Sequence, residues 1–92
     1  MIYATKIKMR AGCWNSQNLT EIDSIYLSGV AIPGFYPKGN IYDFLKANPG
    51  SIKVNISPYP DVIPALSIYN EKYVKSEANA FGHDNLLNLP RE

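Results

Sequence analysis

YVKSEANAFGHDNLLNLPRE, residues 73–92, carries the clearest structural message in the chain. An Asp-Asn pair at 84–85, typical of a helix cap, precedes three leucines, Leu86, Leu87 and Leu89. Terminal segments of small domains are usually loose and polar. Three leucines in such a segment would expose much apolar surface to water, so we expect the tail to dock on the body of the domain.

Length and composition indicate one globular domain spanning residues 1–92. The chain is 46% hydrophobic and 18% charged, which is typical of a folded protein. Seven tyrosines, seven prolines and six glycines favour strands and turns over helices. The net charge of +1 gives no sign of the basic excess that marks many nucleic-acid-binding domains.

Cysteine usage and the N-terminal residues suggest a compartment. Cys13 is the only cysteine, which excludes an internal disulfide and a multi-cysteine metal site, and a single thiol fits a reducing environment. No apolar run is long enough to cross a membrane. Lys6 and Lys8 stand where a signal peptide would be apolar. We therefore expect a cytoplasmic protein with no membrane partner.

Period-two alternation of apolar residues predicts several strands. Residues 2–9 and 21–27 alternate and are predicted to pair antiparallel, with Tyr3, Thr5, Ile7 and Met9 sharing one face. Residues 51–57 predict a further strand.

The last predicted strands form a hairpin. Residues 65–69 and 72–75 are its two arms, with Leu66, Ile68 and Val74 as core residues. The three prolines of residues 58–64 indicate a turn or an edge.

One helix is predicted, over residues 40–47. Asn40 is a good N-cap, and Asn48-Pro49-Gly50 ends the helix. Ile41, Phe44 and Leu45 lie on one face at helical spacing, whereas Asp43 and Lys46 point away. The three glycines and two prolines of residues 28–39 argue against a regular element there. The predicted fold is α+β: a small antiparallel sheet in the order β-β-α-β-β, one short helix packed on it, and a docked C-terminal tail.

The segments Tyr73–Asn79 and Asp84–Pro90 resemble the closing signature of a family of small bacterial proteins, domain of unknown function 3892. Members of that family end in a strand, a turn and an Asp-Asn-Leu-x-x-Leu-Pro sequence. The resemblance covers about a fifth of the chain and departs from the family in segments 28–39 and 58–64. It implies a bacterial or phage setting and a shared sheet, and it implies no activity, cofactor or catalytic residue.

The sequence offers little for catalysis or for a metal. His83-Asp84 with Cys13 as a nucleophile is the one arrangement that resembles a catalytic set. Adjacent residues orient each other poorly, and Asp84 is better explained as a cap of the terminal turn. One histidine and one cysteine do not complete a tetrahedral zinc site. We expect no enzyme, no metal and no cofactor.

Binding by surface residues is the leading hypothesis. Segment 28–39 combines Ile32, Phe35 and Tyr36 with glycines and prolines, so its apolar residues either cap the core or form a contact surface. Trp14, in a polar loop, is a residue type enriched at interfaces. The sequence predicts a contact with a protein partner, or with a second copy in a homodimer, through Trp14, Ile32, Phe35 and Tyr36.

A second hypothesis is binding of single-stranded nucleic acid. Tyrosines and lysines on one sheet face can stack bases and neutralise phosphates. The residues predicted to do so are Lys53, Tyr59, Tyr69, Tyr73 and Lys75. The alternative explanation is that tyrosines are common in strands for packing reasons alone.

Overall fold

Strands and one α-helix build the part of the chain that the structure, a computed structural model, describes: residues 2–16, 18–57, 59–77 and 85–92. The strands are β1 (Ile2–Met9), β2 (Ile22–Ser28), β3 (Gly34–Pro37), β4 (Ile52–Val54), β5 (Val62–Leu66) and β6 (Lys72–Ser76). The α-helix is α1 (Lys38–Ala47). Two short 3₁₀ turns span Leu19–Glu21 and Asn85–Asn88. The predicted α+β class is confirmed.

The strands form a mixed four-stranded sheet in the order β3-β2-β1-β4 and a two-stranded hairpin, β5-β6. The antiparallel pairing of β1 with β2 is confirmed. The prediction of a purely antiparallel sheet is wrong, because β4 runs parallel to β1. A parallel neighbour requires a long crossover connection, and β3 and α1 are part of that connection. A bridge between Lys53 and Asp61 joins the edge of β4 to the residue before β5.

Segment 28–39 is more regular than its composition predicts. Gly34–Pro37 forms the edge strand β3, which pairs antiparallel with β2, so the prediction of no regular element there is wrong. Proline is tolerated at a sheet edge, where its missing N–H need not join a ladder.

Helix α1 also begins earlier than predicted. It begins at Lys38, directly after β3, and Asn40 lies within its first turn instead of acting as the N-cap. The helix ends at Ala47 as predicted, where the Asn48 backbone N–H donates to the Phe44 carbonyl at 2.8 Å.

β1 does not alternate regularly along its length. Ala4 and Ile7 are both fully buried although they are three residues apart. The register of β1 against β2 shifts between Ala4 and Lys6, which leaves Thr5 as the extra residue of a β-bulge. The bulge changes which side chains face inward, so the prediction that Tyr3 and Ile7 share a face is wrong.

The core lies between the inner face of the four-stranded sheet, helix α1 and the hairpin. Val74 is buried as predicted. Leu66 is 51% exposed and Ile68 is 90% exposed, so the prediction that these two residues belong to the core is wrong. Phe44 is likewise 41% exposed, and Tyr42 is buried in its place. The residues of the core are Ala4, Ile7, Met9, Ile22, Ile25, Leu27, Ile41, Tyr42, Leu45, Ile52, Val54, Val62, Val74, Leu86 and Leu89.

The docked tail is confirmed. Leu86 and Leu89 are buried and Leu87 packs against the core. Main-chain bonds extend the docking: the Ile7 N–H donates to the Pro90 carbonyl at 2.9 Å, and the Glu92 N–H donates to the Ile7 carbonyl at 3.0 Å. Strand β4 pairs with β1 only at Ile2–Ala4. Further along the same edge of β1, the tail takes the place of β4 and forms a parallel bridge between Arg91 and Ile7.

Candidate functional site

A pocket of about 260 Å³ opens at one end of the sheet, between helix α1 and the inner sheet face. We call it the apolar pocket. It is lined by Ile2, Leu27, Val30, Tyr36, Asn40, Ile41, Phe44 and Ile52. No lysine, arginine, aspartate or glutamate is among these residues, so apolar contact is the chemistry that the pocket offers.

Apolar surface continues beyond the apolar pocket onto its rim. Phe44 lines the pocket and is 41% exposed. The Tyr36 hydroxyl donates a hydrogen bond to the Ile32 carbonyl oxygen, which places the Ile32 backbone beside the pocket wall. Ile32 itself is 75% exposed, whereas Val30 packs against the core. Segment 28–39 therefore both caps the core and presents exposed apolar surface.

The four residues predicted to contact a protein do not form one patch. Tyr36 lines the apolar pocket and Ile32 lies next to it. Phe35 precedes Tyr36 in strand β3, and its side chain therefore faces the opposite side of the sheet. Trp14 lies in the loop that follows the C-terminal end of β1, away from the apolar pocket. Its carbonyl oxygen accepts a hydrogen bond from the Arg91 guanidinium at 2.7 Å.

Phe44 is a pocket residue that the sequence prediction did not include among the contact residues. Phe44 stands at core spacing with Ile41 and Leu45, so helical periodicity assigned it to the interior. Phe44 stands at the edge of the apolar face of the helix, and a residue at such an edge is only partly covered by the rest of the protein. This position is the sequence signal that could have indicated an exposed Phe44.

The opposite side of the four-stranded sheet carries a second feature, which we call the outer aromatic face. It consists of Tyr3, Lys6, Lys8, Tyr26, Phe35, Lys53 and Tyr59. The Tyr26 and Phe35 rings pack edge to face with centroids 5.3 Å apart, and the Tyr3 and Tyr59 rings do so at 6.3 Å. The Lys6 Nζ lies 5.2 Å from the centroid of the Tyr26 ring.

Two of the lysines on the outer aromatic face are paired with carboxylates. Lys6 Nζ lies 3.1 Å from Glu92 Oε1, with both side chains about half exposed. Lys53 donates to Asp61, and this hydrogen bond raises the pKa of Lys53. The Lys6–Glu92 pair is exposed, and exposed ion pairs contribute little to stability.

The residues predicted to bind nucleic acid are divided between two sheets. Lys53 and Tyr59 belong to the outer aromatic face. Tyr73 and Lys75 flank buried Val74 and so lie on the outward side of the hairpin, and Tyr69 is an exposed residue of its turn. The prediction found one part of the outer aromatic face and missed Tyr3, Tyr26 and Phe35, because the sequence did not show which strands are neighbours.

Cys13 is held in a polar contact. Its thiol donates to Glu21 Oε2 at 3.0 Å, and this hydrogen bond raises the pKa of Cys13 while lowering the pKa of Glu21. A raised pKa reduces the thiolate fraction that a nucleophile needs. His83 and Asp84 lie outside the described residues, so their predicted arrangement with Cys13 stays a prediction.

Metal ligands and membrane-spanning helices were sought in the same part of the chain. Residues 2–16, 18–57, 59–77 and 85–92 contain no group of three or more His, Cys, Asp or Glu side chains able to hold a metal ion. None of their helices is long and apolar enough to cross a membrane.

Comparison with protein-family models, curated proteins and solved structures gives no match to this chain. The resemblance of the C-terminal segment to domain of unknown function 3892 therefore stays a prediction. Part of the motif that carries it, Ala78, Asn79 and Asp84, lies outside the described residues.

Proposed function

We propose that this protein is a non-enzymatic binding module that contacts a protein partner through the apolar pocket. The observation that carries the proposal is an apolar recess whose rim, formed by Phe44 and Ile32, is also apolar and exposed. Interface anchors are typically large apolar or aromatic side chains seated in such recesses.

The size and lining of the apolar pocket favour a side chain of a protein over a small molecule. Small-molecule sites commonly enclose about 300–1,000 Å³ and place several polar groups to orient the ligand. This pocket is about 260 Å³, and Asn40 and Tyr36 are its polar-tipped residues. The Tyr36 hydroxyl is already bonded to the Ile32 carbonyl. A single inserted apolar side chain would gain roughly 1.5–3 kcal/mol from burial.

The exposed rim supports the same choice of partner. A small ligand in the apolar pocket would leave Ile32, which is 75% exposed, in water. A protein surface around the inserted side chain would cover Ile32 and Phe44 together and exclude water from the contact. We further infer a reducing compartment, the cytoplasm, because the one cysteine of the chain, Cys13, is a free thiol.

Site-specific photo-crosslinking in the source cells tests the proposal. Benzoyl-phenylalanine replaces Phe44 at the rim, and in a control chain it replaces Ile68, which is 90% exposed in the hairpin turn. We expect one discrete protein adduct from position 44 and none from position 68. An adduct of twice the chain mass would identify the partner as a second copy.

A charge at the mouth of the apolar pocket provides the matched variant. Asn40→Lys introduces an ammonium at an exposed lining residue, whereas Asn55→Lys makes the same change at an exposed position outside the lining. Asn40→Lys should lower the adduct yield at least about fivefold, and Asn55→Lys should leave it unchanged. Equal yields in the two variants, or no adduct at position 44, would contradict the proposal.

A further inference from the structure

We propose that the outer aromatic face binds single-stranded nucleic acid, with bases stacked on its tyrosine and phenylalanine rings and phosphates held by its lysines. This face lies on the side of the sheet opposite the apolar pocket, and the inference does not rest on the proposed function. It replaces the residue set predicted from the sequence with one defined by strand order.

The strand order places the rings where a stacked strand can pass. Tyr3 and Tyr26 stand on β1 and β2, the two central strands, and Phe35 stands on β3 next to Tyr26. Phe35 lies directly opposite Tyr26, whereas Tyr3 lies opposite Ser28, two residues further along β2, so the rings form two pairs on this face, Tyr26–Phe35 and Tyr3–Tyr59. Tyr3, Tyr26 and Phe35 are partly exposed, and aromatic residues on the open face of a four-stranded sheet are a known platform for two or three bases.

The backbone at Tyr59 has a conformation that is strained for a bulky residue, and it places the Tyr59 ring beside Tyr3. Tyr59 has a φ of +59°, a region that bulky residues rarely adopt, and Pro60 follows it. The Tyr59 N–H donates to the Ile56 carbonyl at 2.7 Å, and the Val54 N–H donates to the Pro60 carbonyl at 2.9 Å. Strained backbone of this kind concentrates at binding sites. Here it sets a 48% exposed ring beside Tyr3.

The charges of the outer aromatic face complement a phosphate backbone. Lys6, Lys8 and Lys53 lie among the rings, and within the described residues Lys8 has no ion pair. The partners of the other two, Glu92 and Asp61, stand at the border of the face. Because the Lys6–Glu92 pair is half exposed, a phosphate can take the place of the carboxylate at little cost.

Fluorescence anisotropy with labelled oligonucleotides tests the inference. The probes are a thymidine strand and a uridine strand of about 12 nucleotides and a DNA duplex of the same length. We expect both single strands to bind and the duplex to bind more weakly. Three neutralised phosphates predict a fall in single-strand affinity of about twentyfold between roughly 50 mM and 200 mM salt.

Matched variants separate the outer aromatic face from other tyrosines and lysines. Tyr59→Leu should weaken binding at least about fivefold, and Tyr59→Phe, which keeps the ring, should retain it. Tyr69→Leu, at an exposed tyrosine of the hairpin turn, should have no effect. Lys6→Gln should reduce the salt dependence, whereas Lys46→Gln, on helix α1, should not.

Circular dichroism confirms the fold of each variant before titration. No rise in anisotropy with wild-type protein at low salt would overturn the inference. Equal losses in Tyr59→Leu and Tyr69→Leu would overturn it as well, because binding would then not depend on this face.

Discussion

At the residue scale, Leu86 shows why the tail belongs to the domain. Its side chain has no exposed surface, and it lies in the same core as Ile7 and Val74. Removing buried methyl groups loses their transfer free energy and leaves a cavity that the surroundings fill only in part. Leu66 is chemically identical but half exposed, so its removal exposes little new apolar surface.

We therefore expect Leu86→Ala to lower the free energy of unfolding by about 2–5 kcal/mol. Leu66→Ala, the matched control, should change it by less than about 0.5 kcal/mol. Urea denaturation with linear extrapolation measures both values. If Leu66→Ala lowered the free energy of unfolding as much as Leu86→Ala, the side of the hairpin that carries Leu66 would have to pack against the core.

The same pair of residues shows what residue patterns can predict. Leu86 stood out because it occurs in a polar terminal segment, where only docking removes it from water. Leu66 and Val74 are both apolar residues of strands, and their patterns do not say which face of the hairpin meets the core. Phe35 and Tyr36 illustrate the same limit: they are neighbours in sequence, yet the strand sends them to opposite sides of the sheet.

At the scale of elements, Arg91 joins the tail to the loop after β1. Its guanidinium donates to the carbonyls of Trp14 at 2.7 Å, Ser16 at 2.8 Å and Leu87 at 3.1 Å. The planar guanidinium donates in several fixed directions at once, which the single ammonium of lysine does not reproduce. Arg91 therefore holds the loop in place through main-chain atoms and does not depend on the identity of the loop's side chains.

Arg91→Lys should loosen this loop while the core stays folded. Hydrogen bonds to charged groups contribute roughly 1.5–3 kcal/mol, so amide exchange in the loop should become about tenfold faster or more. Hydrogen exchange followed by NMR reports this at the Cys13 and Ser16 amides, which are bonded to carbonyls within the loop. The Asn48 amide at the end of α1 is the internal control. Faster exchange at Asn48 as well would indicate general destabilisation instead.

The elements that the sequence predicted are those with a strong local pattern. β1, β2 and the centre of α1 follow from alternation or helical spacing. β3 was missed because two of its four residues are a glycine and a proline, and the pairing that stabilises it comes from β2 and not from its own sequence pattern. The parallel pairing of β1 with β4 was missed for a related reason, since strand direction depends on the path of the intervening chain.

At the scale of the whole molecule, Glu71 connects the hairpin to the four-stranded sheet. Its carboxylate lies 3.2 Å from Arg10, which follows β1, and also accepts from Lys38, the first residue of α1. Lys38 in turn donates to the Thr20 carbonyl. A lysine at a helix N-terminus is unfavourable for the helix dipole, and the contact with Glu71 offsets this. Three regions that are far apart in sequence thus meet at one carboxylate.

Acidification should weaken this connection. The hydrogen bond from Lys38 lowers the pKa of Glu71, and the hydrogen bond from Cys13 lowers the pKa of Glu21. A carboxyl whose pKa is lower in the folded protein than its ordinary value of about 4.3 stabilises the fold above that value. That contribution is lost as the pH falls through the lower, folded value. We therefore expect the melting temperature to decrease from about pH 5 downwards.

Glu71→Gln separates the contribution of this carboxylate from general acid unfolding. The variant should melt below the wild type at pH 7, and the difference should shrink towards zero as the pH falls, because protonated Glu71 also lacks the charge. Asp23→Asn, at an exposed aspartate with no ion pair among the described residues, should follow the wild-type curve. Thermal melts by circular dichroism from pH 7 to about pH 3 measure all three curves. A Glu71→Gln difference that stays constant across this range would show that Glu71 acts through packing and not through its charge.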